Sequence, residues 1–204
     1  GFEEEKIHCI PTFTASKTKV GEPQIGSYGL YFGRITEEKG VETVVQAYEK
    51  LQKYTVKIMG DDTTEEAIRL KRYIKEHKIK NIEFLGFKSG EELEDIIKGA
   101  RFTLIPSIWY DNLPNTALES FQYSKPVIAS NIGSLPELVV DGENGYLFKP
   151  ADAEDLIKKI KLLDDDTVVE KMGAASRRRL ESRFSPETHY EALMKVFSEA
   201  VKNN

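Results

Sequence analysis

Short apolar runs take turns with longer amphipathic stretches along this chain, and that alternation limits the fold more than any other feature. The runs at 28–32, 55–59, 82–85, 102–105, 127–129 and 146–148 are brief and continuously apolar. Parallel strands covered by helices on both faces read this way. A further run at 7–10 has the same character and is expected as another short strand. Helical periodicity occupies 41–52, 65–77, 91–98, 116–123, 135–139, 152–163, 168–183 and 187–201. Strand followed by helix, repeated, means βαβ units and an α/β, Rossmann-like doubly wound parallel sheet.

Punctuation supports these elements. Gly40 precedes the first helix, and Thr63 or Thr64 can cap the helix opened by Glu65 and Glu66. Pro114 suits a first helical turn. The turn Asp141-Gly142-Glu143-Asn144-Gly145 leads into a strand, and Ser185-Pro186 opens the last helix. Residues 1–26 read as a linker from a preceding domain, 27–184 as the domain itself, and 185–204 as a helix packing toward that missing neighbour.

With 204 residues the chain suits one domain with a sizeable core. Its net charge of −5 disfavours nucleic acid, whose affinity rests on phosphate neutralisation. Arg177, Arg178, Arg179 and Arg183 read as a solvated helix face. No run is long enough to cross a bilayer, and the start lacks a basic segment followed by an apolar one. The single cysteine, Cys9, excludes a disulfide framework within the chain and a cysteine-rich zinc site. It fits a reducing cytoplasm and is expected half-buried in the first run.

In an open parallel sheet, ligands bind beyond the carboxyl ends of the strands, near the reversal of strand order. The first such loop runs from Gly33 to Gly40. Arg34 and Lys39 flank it before a helix start, which suits a diphosphate. A surface loop in which they pair with Glu37 and Glu38 fits the spacing equally well. No Gly-Lys-Ser/Thr follows, and no GxGxxG is present. The second loop, Pro106 to Asn115, carries Asp111 and leads to a helix bearing Glu119. Amides near Asn115 and Thr116 could meet an anion, and a ribose diol would satisfy a carboxylate at Glu119 that is otherwise costly against a buried sheet. A polar network capped by Glu119 is the competing reading. In the third loop Gly86 permits close approach and Phe87 could flank a base or fold onto the core. The Gly60-Asp61 loop is a weaker version of the same. Trp109 and Tyr110 could frame a sugar or close a core edge.

Three segments, YFGRITEEKGVETVVQAYEKL, IEFLGF and PSIWYDNLPNTALESFQYSKPVIASNIGSLPELVVDGENGYLFKPADAEDL, carry a resemblance. Together they are similar to the C-terminal domain of the retaining group 1 glycosyltransferases of family 4, which have the GT-B fold. The opening EEEKIHCIPTF looks like that family's interdomain connection. The resemblance implies that Gly33, Arg34 and Lys39 meet a donor diphosphate, that amides around Asn115 and Thr116 hold the distal phosphate, and that the backbone near Phe87 reads the base. It gives Glu119 the ribose hydroxyls and Asp111 the transferred sugar. It further implies transfer of a hexose from a UDP- or GDP-sugar with retention and without a metal, with Asp111, Arg34 and Lys39 at the chemistry. The acceptor would be a glycan, a lipid-linked or a small-molecule hydroxyl, as in polysaccharide biosynthesis. The full-length enzyme would then be cytoplasmic, with peripheral association at the cytoplasmic membrane face, and inactive without its N-terminal domain.

Three departures stand out: Asp111 where the family usually has Glu, and Ser120 and Ser124 where it often has Ala and Gly. A non-catalytic nucleotide-sugar-binding subunit and a GT-B-like sugar-nucleotide epimerase are the alternatives. Against the latter, His8, His77 and His189 all lie away from the candidate loops.

Overall fold

A computed structural model of the protein describes residues 7–14 and 23–202. Six strands, β1 (Tyr28–Phe32), β2 (Val56–Met59), β3 (Ile82–Gly86), β4 (Ala100–Ile105), β5 (Val127–Ser130) and β6 (Gly145–Phe148), form one sheet in the order β3-β2-β1-β4-β5-β6. Every neighbouring pair is parallel. Central β1 is bracketed on both sides: Leu30 stands beside Lys57 of β2 and Thr103 of β4. The expected α/β, Rossmann-like doubly wound sheet is therefore the fold.

Side-chain alternation along the strands separates two cores. Tyr31, Ile58, Leu104 and Ile128 face one layer, made by α1 (Val41–Lys50), α2 (Glu65–Glu76) and α6 (Ala153–Lys161). Their neighbours Leu30, Phe32, Met59, Ile105, Val127 and Ala129 face the other. That second layer holds α3 (Gly90–Lys98), α4 (Asn115–Gln122), α5 (Leu135–Leu138) and the far end of α7 (Asp166–Arg183). Helix α1 shows why these segments coil and dock. Val41, Val44, Val45 and Tyr48 recur at helical spacing and are essentially fully buried. Starts are fixed by caps: Thr64 accepts from Ala67 N at 3.2 Å, Asp152 from Asp155 N at 3.0 Å, and Asp165 from Thr167 N at 2.8 Å.

Some expectations need correcting. Residues 7–10 form no strand. Ile7 is 64% exposed and Cys9 is exposed rather than half-buried. The stretch that follows it, Pro11–Thr14, lies against the junction of α7 and α8 (Pro186–Lys202). Thr14 N donates to Phe184 O at 3.2 Å, and His189 Nδ1 donates to Pro11 O at 2.8 Å. A four-residue apolar run carries no period that distinguishes a strand from an extended packing segment. The expected linker 1–26 falls partly on residues 1–6 and 15–22, outside the described residues. Nor is the arginine cluster simply solvated: Arg177 donates to Gln122 O at 2.9 Å and Arg179 to Glu137 O at 2.5 Å, so α7 clamps carbonyls of α4 and α5.

Two serines replace residues the resemblance would favour, and both are accommodated. Ser120 is buried with its hydroxyl satisfied, donating to Thr116 O at 2.6 Å and accepting from Thr103 Oγ1 at 2.8 Å. Ser124 adopts φ 54°, a left-handed conformation that glycine reaches without strain.

Lys125 is 2% exposed, and its ammonium donates to Gln24 O at 2.7 Å and Lys98 O at 2.6 Å. Burial pushes its pKa down to about 8, against 10.5 for a free lysine. Above pH 8 the unfolded chain therefore binds more protons than the native state, so this group makes stability rise with pH. Denaturant melts between pH 8 and 9.5 should show that rise, up to about 1.4 kcal/mol per pH unit. Lys125→Met should remove the slope and lower stability by about 1–3 kcal/mol through two stranded carbonyls. An unchanged slope in the variant would assign the titration elsewhere.

Candidate functional site

Strand order reverses between β1 and β4, so the chain leaves these neighbours toward opposite halves of the sheet and a crevice opens above their carboxyl ends. Three loops close around it. Glycine makes their approach possible. Gly40 has φ 66°, and a Cβ there would lie 2.0 Å from Pro106 O. A Cβ on Gly60 would lie 2.1 Å from Gly33 O. Ile108 N donates to Glu38 O at 3.0 Å, stitching the β1 loop to the β4 loop. Tyr31 OH donates to Arg34 O, and Thr64 Oγ1 donates to Ile35 O at 2.7 Å, which holds the β1 loop from below.

Two adjoining cavities result, sharing Phe32, Gly33, Arg34 and Thr116. The larger, about 490 Å³, runs toward β2 and β3 between Met59, Gly60, Phe87, Leu93 and Glu119. The smaller, about 330 Å³, holds Lys39, Ser107, Asp111, Pro114 and Asn115. Of the residues singled out from the loops, Gly33, Arg34, Lys39, Phe87, Asp111, Asn115, Thr116 and Glu119 line these two adjoining cavities, whereas Trp109 and Tyr110 line neither. None of the three histidines lines either cavity.

The charges in the cleft are unequally partnered. Arg34 is exposed, and its guanidinium makes no hydrogen bond or ion pair among the described residues. Lys39 does not pair with Glu37 or Glu38. Its Nζ lies 2.5 Å from Asp111 Oδ1, with the two side chains only 16% and 18% exposed. Ser107 Oγ donates to Asp111 Oδ2 at 2.6 Å. Ser134 Oγ donates to the Asp111 carbonyl at 3.0 Å. The shorter acid thus reaches Lys39 across the smaller cavity, held by Ser107 and Ser134. Helix α4 begins after Pro114 with no side chain capping it and no acid in its first turn, leaving its first amides directed at the smaller cavity.

Glu119 is half-buried on α4 and has no hydrogen-bond donor among the described residues. Burial raises its carboxyl above the ordinary range. The competing reading, a satisfied buried network, does not describe it. Phe87 is 74% exposed, so it stands at the cavity edge rather than folding onto the core. Trp109 and Tyr110, in the β4 loop, are 66% and 74% exposed and close no core edge. Asp61 is engaged by its own turn, accepting from Thr63 N at 3.0 Å and Oγ1 at 2.6 Å.

Sequence reasoning passed over Ser107, Ser134, Met59, Lys88 and Leu93. Ser107 lies four residues before Asp111 in the same loop, a signal that could have been read. Leu93 and Ser134 come from elements distant in sequence, and nothing local marks them.

The family model "Glycosyl transferases group 1" matches residues 13–179. An uncharacterized glycosyltransferase of Methanocaldococcus jannaschii is 28% identical over 173 residues, covering 85% of this chain and 48% of that protein. Sucrose-phosphate synthase from Thermosynechococcus elongatus superposes with a TM-score of 0.82 at 24% identity, over 96% of this chain and 53% of that one. HepE of Anabaena, solved in complex with UDP and glucose, superposes with a TM-score of 0.76 at 20% identity, over 85% of this chain and 48% of that one. The chain spans about half the length of the curated relatives it matches.

An unpartnered buried carboxylate lowers stability. Because Glu119 has a raised folded-state pKa, its favourable contribution exists at acid pH and is lost as pH rises through that value. Glu119→Gln should therefore raise Tm by about 2 °C at pH 7, with the gap closing toward pH 4. A variant no more stable than the parent at pH 7 would mean the carboxylate carries no such cost.

Proposed function

The chain belongs to the group 1 glycosyl transferases, with the Rossmann-like architecture of GT-B enzymes, and on that premise we propose that it is the donor-binding half of a hexosyltransferase. The donor is a nucleoside-diphosphate hexose. Its pyrophosphate lies on Arg34, Lys39 and the opening amides of α4, beside Gly33. Its ribose is gripped by Glu119, its base sits near Phe87, and its sugar lies by Asp111. One observation carries this reading: two cations, an uncapped helix start and a partnerless carboxylate converge on one continuous cleft. A nucleoside diphosphate presents the matching groups in order, with anionic phosphates at one end of a diol and a flat base at the other. The binding of UDP and glucose by HepE, which shares this fold, supports the same reading.

Chemically, the difficult event is departure of the nucleoside diphosphate as negative charge gathers on it. Cations and amides fixed where that charge develops lower the barrier. Arg34 and Lys39 meet this demand with no metal required. The leaving phosphate, positioned on the same face as the incoming hydroxyl, can take the acceptor's proton, so the sugar keeps its anomeric configuration. The acceptor is a glycan, lipid-linked or small-molecule hydroxyl, delivered by an N-terminal domain of the same polypeptide at the cytoplasmic side of the membrane. Without that domain half the cleft is missing and no transfer is expected.

Two measurements test this. A thermal-shift panel of UDP, GDP and ADP should raise Tm for one base above the others, since a site-bound ligand at a hundred times its Kd stabilises by about 2.7 kcal/mol. Lys39→Ala should then weaken that diphosphate at least about tenfold by calorimetry, the effect of one lost charge-assisted contact. An unchanged Kd would remove Lys39 from the site.

A further inference from the structure

Lys39 is asked to serve two anions. In the free protein its ammonium is held by Asp111 at 2.5 Å, in a part of the cleft where both side chains are mostly shielded from water. Such a pair is screened little by salt and is costly to leave half-broken. A diphosphate entering the cleft needs the same ammonium. When it takes Lys39, Asp111 Oδ1 loses the one cationic partner it has among the described residues. The carboxylate cannot then swing out to solvent. Ser107 Oγ still holds Oδ2 at 2.6 Å, and Ser134 Oγ pins the Asp111 backbone carbonyl at 3.0 Å. Gly133 packs against the same backbone: a Cβ there would lie 3.3 Å from Asp111 O. The bared oxygen is thus held at the cleft, as an acceptor awaiting a donor.

We propose that Asp111 competes with the diphosphate for Lys39, and that the site thereby favours the sugar-bearing donor over the bare nucleoside diphosphate. This deepens the donor-site reading and rests on it. A donor sugar brings hydroxyls that satisfy the oxygen Lys39 has left. A nucleoside diphosphate without its sugar brings none, so Asp111 keeps pulling on Lys39 and the diphosphate holds that contact at a cost. Ser107 and Ser134 act as positioning residues, keeping the carboxylate within reach of both partners. After transfer, the same competition helps expel the leaving product.

The test is a double-mutant cycle on this chain, titrated by calorimetry with UDP, GDP and ADP and with UDP-glucose and GDP-mannose. Asp111→Asn keeps the shape and an oxygen acceptor for Ser107 but removes the charge that holds Lys39. It should tighten the bare nucleoside diphosphate about tenfold and leave the sugar-bearing form no tighter, so the preference for sugar falls. In a Lys39→Ala background the same change should give little gain, because the two effects act through one contact. Unchanged or weaker diphosphate binding in Asp111→Asn overturns the proposal. So does a tenfold gain that persists without Lys39, which would be plain repulsion between carboxylate and phosphate. If Asp111→Asn does not fold, Asp111→Ser carries the same expectations. Should Lys39→Ala alone leave diphosphate affinity unchanged, or should none of the nucleotides bind, the donor-site reading fails and this inference with it. A weakened Lys39→Ala beside an unmoved Asp111→Asn sinks only the competition.

Discussion

Adjacent parallel strands whose connections depart in opposite directions cannot cover the gap between them with their own crossovers. That gap, above β1 and β4, is what the rest of the molecule is arranged around. The β1 loop and the β4 loop face each other across it and are tied by one backbone hydrogen bond, from Ile108 N to Glu38 O. Close approach at Gly40 and Gly60 lets three loops meet without side chains intervening. Two layers of helices, separated by the alternation of strand side chains, keep the sheet rigid enough for those loops to hold their spacing.

The polar groups that hold the fold and those that line the crevice differ, and the contrast is informative. Several structural ones are saturated, while Tyr48 OH and Ser130 Oγ are buried without a partner. Lys125 has two carbonyl acceptors, Asn81 donates to three carbonyls at 2.8–3.0 Å, and Ser120 both gives and accepts. Those lining the cleft are left open or weakly committed: Glu119 lacks a donor, Arg34 lacks an acceptor, and α4 starts uncapped. These open groups line one cavity pair, which suits a charged, hydroxyl-rich ligand. Lys39 and Asp111 are the intermediate case, neutralising each other until something else arrives.

Much of this was legible along the chain. The short apolar runs located all six strands, because a strand covered on both faces must be apolar throughout. Loops after such strands made Arg34, Lys39, Asp111 and Glu119 candidates, and the family resemblance, not their position, gave Asp111 and Glu119 their expected roles. The run at 7–10 misled for a related reason: four apolar residues in a row carry no periodicity, and only a vacant sheet edge nearby would have made them a strand. The arginines of α7 read as solvent-facing because their carbonyl acceptors, on Gln122 and Glu137, are far away in sequence.

Periodicity, caps and loop chemistry are local properties, and from them the chain by itself determined its α/β layering, its candidate loops and the residue types that line them. Which charge meets which was decided only in three dimensions. The spacing of the β1 loop allowed Lys39 to pair with Glu37 or Glu38, yet the fold hands it to Asp111, 72 residues away. The same folding leaves Glu119 without a partner and brings Ser107 and Ser134 to the carboxylate and backbone of Asp111. Sequence separation says nothing about distance across a crevice, because that distance is set by how β1 and β4 pair and by where glycine lets their loops touch.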